Sequence, residues 1–232
     1  MDKKHTCVKE HQSPITTLLF DIDNTLFDLV EAQIAACRAV AEKLGHNSGE
    51  ELFSYFLSPA HGFESHENIR QFMNERRIPV ENLYREVCQV YETVKLQNIL
   101  PYKHVPETLQ SLNTQGYAMG IVTDAHSRDA TLRLEKTGLL PFFCCMVSFD
   151  MVKAKKPAHE PFLFGLEMMR AHPSEVVLIG DSPRRDIEPC RDLGIRTVYA
   201  RYGDRFSRDR TGISADFVID TMAELPEILR GI

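Results

Sequence analysis

Three short apolar runs, each ending in acid or hydroxyl residues, constrain this chain most. Residues 15–20 lead into Asp21-Ile22-Asp23, residues 118–122 into Thr123-Asp124, and residues 176–179 into Gly180-Asp181-Ser182. None of the three alternates polar with apolar positions. Such runs predict strands of a parallel sheet buried on both faces. Residues 144–149 and 197–200 read as further strands, and 217–219 as an edge strand. Helical patterns fill the gaps at 106–115, 127–136, 160–170, 185–193 and 222–229. Pro106 opens the first of these and Gly116 follows it, the usual asymmetry of helix ends. Strands alternating with helices of this length predict an α/β fold with a doubly wound, mostly parallel sheet. Ligands of such folds sit outside the carboxyl ends of the strands. The three runs therefore point their acids and hydroxyls at one site.

Residues 28–104 break the alternation. Val30, Ile34, Cys37, Ala41 and Leu44 recur at helical spacing, and Gly45 ends the pattern. Ser48 and Glu51 form a capping-box pattern ahead of Leu52, Phe53, Phe56 and Leu57. Ile69, Phe72, Met73 and Arg76 mark a third helix; Val80, Leu83, Tyr84, Val87, Tyr91 and Val94 mark a fourth. Four amphipathic helices in succession predict a small bundle inserted into the sheet domain. The expected division is a flexible tail over 1–13, a discontinuous core from 14–27 and 105–232, and a helical domain over 28–104. The tail holds His5, Cys7 and His11 in a polar stretch and reads as a frayed terminus.

A chain of 232 residues can build one sizeable core and a small second module. No apolar run approaches the roughly 20 residues that span a bilayer, and residues 1–13 lack the apolar stretch of a signal peptide. The expected setting is the cytosol, with no membrane partner. A net charge of −6 argues against a nucleic-acid partner. Arg201, Arg205, Arg208 and Arg210 cluster near the C-terminus, but Asp204 and Asp209 interrupt them. That mixture reads as a solvated loop or a local contact surface. The six cysteines include no C-x-x-C pair, which argues against zinc and thioredoxin-type sites.

Asp21 and Asp23, two apart at a strand end, face one way in an ideal strand. Two like charges that close are costly unless they share a cation or a proton. Mg²⁺ meets that need, because it takes oxygen ligands and typically combines one or two carboxylates with water and substrate phosphate.

Taken in order, four stations along the chain resemble the motifs of the haloacid dehalogenase superfamily. Asp21, Asp23 and Thr25 match its D-x-D-x-T motif; Thr123 matches the hydroxyl at the end of its second strand; Lys156-Pro157 matches its lysine; Gly180, Asp181 and Asp186 match its final acidic motif. The similarity covers residues 14–230, with the helical insert where the family places its C1 cap. The resemblance implies a Mg²⁺-dependent phosphatase acting on a small-molecule phosphomonoester, as a monomer or homodimer. Asp21 would be the nucleophile and Asp23 the general acid and base. Asp21, the Asp23 carbonyl and Asp181 would hold the metal. Thr123, the Asp124 amide and Lys156 would bind phosphate. Thr25, Ser182 and Asp186 would support them from behind. Lys153 and Lys155 compete with Lys156 for its role, and the proline after Lys156 favours it. An acid at position 23 favours a phosphate ester over a carbon–halogen bond, since only an alkoxide needs protonation on leaving. His61, Gly62, His66 and Arg70 fall where the family carries its substrate-specificity loop. Asp124 and Arg185 depart from the family, which often has Asn at both places. A phosphomutase fits the same acids, and a non-catalytic metabolite-binding protein fits the same fold. Sugar phosphates, nucleoside monophosphates and phosphoglycolate all suit the motifs.

Overall fold

The computed structural model describes residues 14–207 and 212–232. The tail 1–13, with His5, Cys7 and His11, and the segment with Arg208, Asp209 and Arg210 lie outside the described residues. Six strands form one sheet: β1 (Thr17–Phe20), β2 (Ala118–Val122), β3 (Cys145–Val147), β4 (Val176–Gly180), β5 (Arg196–Ala200) and β6 (Phe217–Ile219). The order is β3-β2-β1-β4-β5-β6 and every pairing is parallel. The expected doubly wound parallel sheet is thus present.

Ten helices accompany the sheet among the described residues. They are α1 (Leu29–Lys43), α2 (Gly49–Phe56), α3 (Glu67–Glu75), α4 (Val80–Asn98), α5 (Val105–Thr114), α6 (Ser127–Thr137), α7 (Phe149–Val152), α8 (Glu160–Met169), α9 (Glu188–Asp192) and α10 (Leu225–Arg230). Successive strand residues serve opposite faces, as the pleat requires. Leu18, Phe20, Met119, Ile121, Val177 and Ile179 join a core shared with α5, α6 and α10. Leu19, Val122, Val176 and Leu178 join Phe162 and Leu166 of α8 and Cys190 of α9 on the other side. With helices on both faces, no polar alternation is needed, which is why the strands read as unbroken apolar runs.

Helices α1–α4 lie between β1 and β2 and bury a cluster of their own. It contains Val30, Cys37, Val40, Leu52, Phe56, Phe72, Val87 and Tyr91. Phe56 stacks on Tyr91 with centroids 5.0 Å apart. Ser48 caps α2 by accepting from the Glu51 amide at 3.1 Å. The reciprocal half of the expected capping box does not form, because the Glu51 carboxylate pairs with Arg76 at the end of α3. Arg205 ties the C-terminal loop to the start of α1 through Asp28 at 2.5 Å and Glu31 at 3.1 Å.

Three elements differ from the sequence reading. The strand expected over 144–149 stops at Val147, and Phe149 begins α7 with its amide bonded to the Ala125 carbonyl at 3.1 Å. The helix expected over 185–193 starts as a wide π-turn, Pro183–Ile187, before α9. Within it Asp186 is buried, and its Oδ2 accepts from the Ser182 amide at 3.0 Å. Such bulges mark functional sites often enough to merit attention. The helix expected over 222–229 opens as a 3₁₀ turn, Met222–Glu224, and becomes α-helical only at Leu225, just ahead of Pro226.

Candidate active site

The carboxyl ends of β1, β2 and β4 meet at the middle of the sheet. Asp21 follows β1, and its amide donates to the Ile179 carbonyl at 2.9 Å. Lys156 Nζ donates to Asp21 Oδ1 at 2.5 Å and to Asp186 Oδ1 at 2.6 Å. A third, longer bond runs to the Val122 carbonyl at 3.4 Å. All three side chains are buried. Burial works against the Lys156 charge, but Asp186 and Asp21 more than offset it and hold the ammonium protonated. Thr25 Oγ1 donates to Asp21 Oδ2 at 3.3 Å. Gly180 is required here by close approach: a Cβ on it would lie 2.6 Å from the Asp186 side chain.

Thr123 ends β2. Its Oγ1 accepts from the Ala125 amide at 3.1 Å, which leaves the hydroxyl proton for another acceptor. The departure at Asp124 has a structural reason. Asp124 Oδ1 accepts from the Lys156 amide at 2.9 Å, and Oδ2 lies 3.5 Å from Arg185 Nη1. Its charge is turned from the strand end onto Arg185, the other departing residue. Ser182 Oγ accepts from the Arg185 amide at 3.3 Å and starts the π-turn. Lys155 is exposed, with its ammonium over the Phe149 ring, and Lys153 is exposed as well.

Asp21, Asp181 and Asp186 offer carboxylate oxygens within 4.8 Å of one another. The Asp23 carboxylate is not one of this group. Both Asp186 oxygens are taken, by Lys156 and by the Ser182 amide. Asp181 Oδ1, by contrast, is buried with no hydrogen-bond partner among the described residues. Burial, with Asp21 and Asp186 nearby, pushes the Asp181 carboxyl well above the usual range. Among the described residues, Asp21, Asp124 and Asp186, with Asp181 beside them, have Lys156 and Arg185 as their cation partners. Four carboxylates against two cations leave an excess that suits one divalent ion. The donor set is all oxygen, as Mg²⁺ prefers.

A cleft of about 890 Å³ opens over this rim. Asp23, Asp124, Lys156, Ser182 and Arg185 line its floor. Phe56, Leu57, Ser58, His61, Gly62 and Phe63 line the side formed by the bundle. Two other residues expected near substrate lie elsewhere. His66 pairs with Glu92 at 2.7 Å, and Arg70 pairs with Glu67 and covers the Tyr84 ring at 3.9 Å. Neither lines the cleft. Both stand at the start of α3 and contact α4 instead, His66 through its ion pair with Glu92 and Arg70 through the Tyr84 ring.

Sequence reasoning missed Arg133. Its Nη1 donates to both Asp23 oxygens, at 2.7 and 2.8 Å, and its Nη2 pairs with Glu64. The available signal was a charge on the apolar face of α6, where Ala130, Arg133 and Leu134 are the buried positions. Asn24 was also missed. It stands at φ 65°, and its Oδ1 caps α1 by accepting from the Leu29 and Val30 amides.

Sheet, rim and helical bundle together define a doubly wound α/β protein with its ligand cleft at the carboxyl ends of the strands. More particularly, the sequence model of the haloacid dehalogenase-like hydrolases matches residues 18–200, and the chain belongs to that family. It is 28% identical over 218 residues to the pyrophosphatase PpaX of Bacillus mycoides, covering 94% of this chain and 98% of that protein. It is 30% identical over 142 residues to a glyceraldehyde 3-phosphate phosphatase of Methanocaldococcus jannaschii, covering 61% of this chain and 62% of that one. The fold also matches the YfnB protein of Bacillus subtilis, solved bound to magnesium, with a TM-score of 0.75 and 21% identity over 94% of this chain and all of that one. Among the described residues no helix is long and apolar enough to cross a membrane.

Proposed function

We propose that the protein is a Mg²⁺-dependent phosphatase that hydrolyses a small phosphomonoester through an aspartyl-phosphate on Asp21. The observation that carries this reading is the buried Asp21 carboxylate. Lys156 Nζ donates to it at 2.5 Å under a cleft wide enough for a metabolite. The Asp21 carboxylate attacks phosphorus, and the bond to the leaving alkoxide breaks. Asp23 gives that oxygen its proton, then takes a proton from the water that hydrolyses the acyl-phosphate. Phosphate leaves and Asp21 is restored. The Thr123 hydroxyl and Lys156 hold phosphoryl oxygens, and Arg185 adds positive charge on the same floor. Phosphoryl transfer depends mainly on such positioning and charge stabilisation. Asp21 and Asp181, with the Asp23 carbonyl, would hold the metal, which when bound neutralises charge on the phosphoryl oxygens. Residues 28–104 act as the cap that closes over the site and excludes water while the aspartyl-phosphate forms.

The wall of the cleft narrows the substrate. Residues 28–104 contribute no Lys or Arg to it; besides apolar groups, hydroxyls and His61, their one charged contribution is the acid Glu64. A leaving group with its own phosphate or carboxylate would meet no fixed cation on that wall. Phosphomonoesters of neutral alcohols are therefore favoured over pyrophosphate and phosphoglycolate, although relatives carry the name pyrophosphatase. In a phosphate-release screen with Mg²⁺, the best neutral-alcohol ester is expected to exceed pyrophosphate in kcat/KM by roughly tenfold or more, the worth of one unmatched charge contact. A higher value for pyrophosphate would refute this preference. Phosphate release from no member of the panel would refute the phosphatase itself.

A second expectation concerns the metal. Mg²⁺ at a hundred times its Kd should stabilise the fold by about 2.7 kcal/mol, at roughly 2–4 °C in Tm per kcal/mol for a chain of this size. Asp181→Asn should abolish that shift. It should also raise the Tm of the metal-free protein, because a buried, poorly compensated acid is removed. A wild-type Mg²⁺ response in this variant would exclude Asp181 as a ligand.

A further inference from the structure

Arg133 has no part in the chemistry above, yet it holds the proposed general acid. It is 2% exposed, and burial opposes its charge, while Asp23 and Glu64 restore it. One guanidinium is thus divided between the Asp23 carboxylate of the core and the Glu64 carboxylate of the helical bundle. Glu64 also accepts from Lys95 Nζ at 3.2 Å, Lys95 pairs with Glu92 at 3.0 Å, and Glu92 meets His66 at 2.7 Å. Opposite charges therefore alternate from the reaction centre into α4. Asp23 and Glu64 both line the cleft, so a substrate entering it meets the two acids that share Arg133.

We propose that Arg133 is a positioning residue that aims the Asp23 carboxyl at the leaving oxygen, with Glu64 fixing the guanidinium from the side of the bundle. The proposal rests on the phosphatase reading and on Asp23 as its acid. When one Asp23 oxygen carries a proton, the other stays on Arg133 Nη1, and that bond fixes where the O–H points. Leaving-group protonation then depends on Glu64, which belongs to the bundle and reaches Asp23 through Arg133. A fork is needed for this task. Nη1 takes both Asp23 oxygens while Nη2 takes Glu64, whereas a lysine would bring one nitrogen to all of them.

The test compares kcat for an alkyl phosphate, whose alkoxide must be protonated, with kcat for p-nitrophenyl phosphate, whose phenolate leaves unaided. Glu64→Gln keeps the shape and removes the charge, and Arg133→Lys keeps the charge and removes the fork. Each is expected to lower the ratio of the two kcat values by about tenfold to a hundredfold, the scale of a misplaced catalytic group. Asp23→Asn sets the largest split available. Equal losses on both substrates, or no loss in Glu64→Gln, would overturn the positioning role. If Arg133→Lys fails to fold, Glu64→Gln decides alone, since its side chain is partly exposed. Failure of the underlying phosphatase reading looks different. The wild-type protein would then release phosphate from neither substrate, or Asp21→Asn would remain active on both.

Discussion

Asp21→Asn is expected to abolish phosphate release, lowering kcat by roughly 10⁴-fold or more, as loss of a covalent nucleophile does elsewhere. The change is isosteric. An amide oxygen can still accept from Lys156, and Thr25 can reorient its hydroxyl, so both contacts of Asp21 survive in altered form. Removing one of three clustered carboxylates also relieves like-charge repulsion. The fold should therefore persist, with a Tm in the metal-free state no lower than that of the wild-type chain. Phosphate release from p-nitrophenyl phosphate with Mg²⁺, paired with a thermal melt, makes the check. Retention of more than a hundredth of the wild-type rate, roughly 2.7 kcal/mol of barrier, would sink the aspartyl-phosphate route.

Lys156→Met is expected to damage fold and activity together. The lysine is the direct cation partner of both Asp21 and Asp186, and its side chain is 1% exposed. Removing one member of a buried ion pair typically costs about 3–5 kcal/mol, because the remaining charge stays buried without a partner. Here two carboxylates are stranded at once. Turnover should fall roughly 10²–10³-fold, the usual loss when a fixed donor to a developing charge is removed. The pH dependence has a definite sign. Burial already raises the Asp186 carboxyl, with Lys156 opposing the rise. Without the lysine that opposition is lost, and Asp186 takes up a proton in the folded chain more readily still. The stability gap to wild type should be widest above neutral pH and should narrow as pH falls toward the ordinary carboxylate range. Melts at pH 8 and pH 5.5 in chelator measure that gap. A constant gap would mean that Lys156 acts through packing and not through charge.

Much of the site was legible because a parallel sheet brings the ends of its strands to one rim. Asp21, Thr123 and Asp181 follow β1, β2 and β4, which are neighbours at the centre of the sheet. Reading where the apolar runs stop was enough to bring those three together. Lys156 was chosen over Lys153 and Lys155 by the proline beside it, and among the three it is the buried one. The pairing of Asp124 with Arg185 was not legible. Each departs from the family pattern alone, and only their proximity shows one departure answering the other. His66 and Arg70 looked like cleft residues by position in the chain, yet the direction of α3 turns them away.

Local order was determined by the sequence itself. Apolar period, proline and glycine placement and helix caps depend on residues a few positions apart, and they set the strands, the doubly wound class and the acids at the strand ends. Tertiary structure alone decided how the charges pair. Arg133 reaches Asp23 across 110 residues and Glu64 across 69. A buried charge takes its partner from whatever the packed chain brings within about 4 Å, and no local pattern encodes that distance. The same holds for Asp186 in the π-turn Pro183–Ile187, which pairs with Lys156, a partner supplied by another loop.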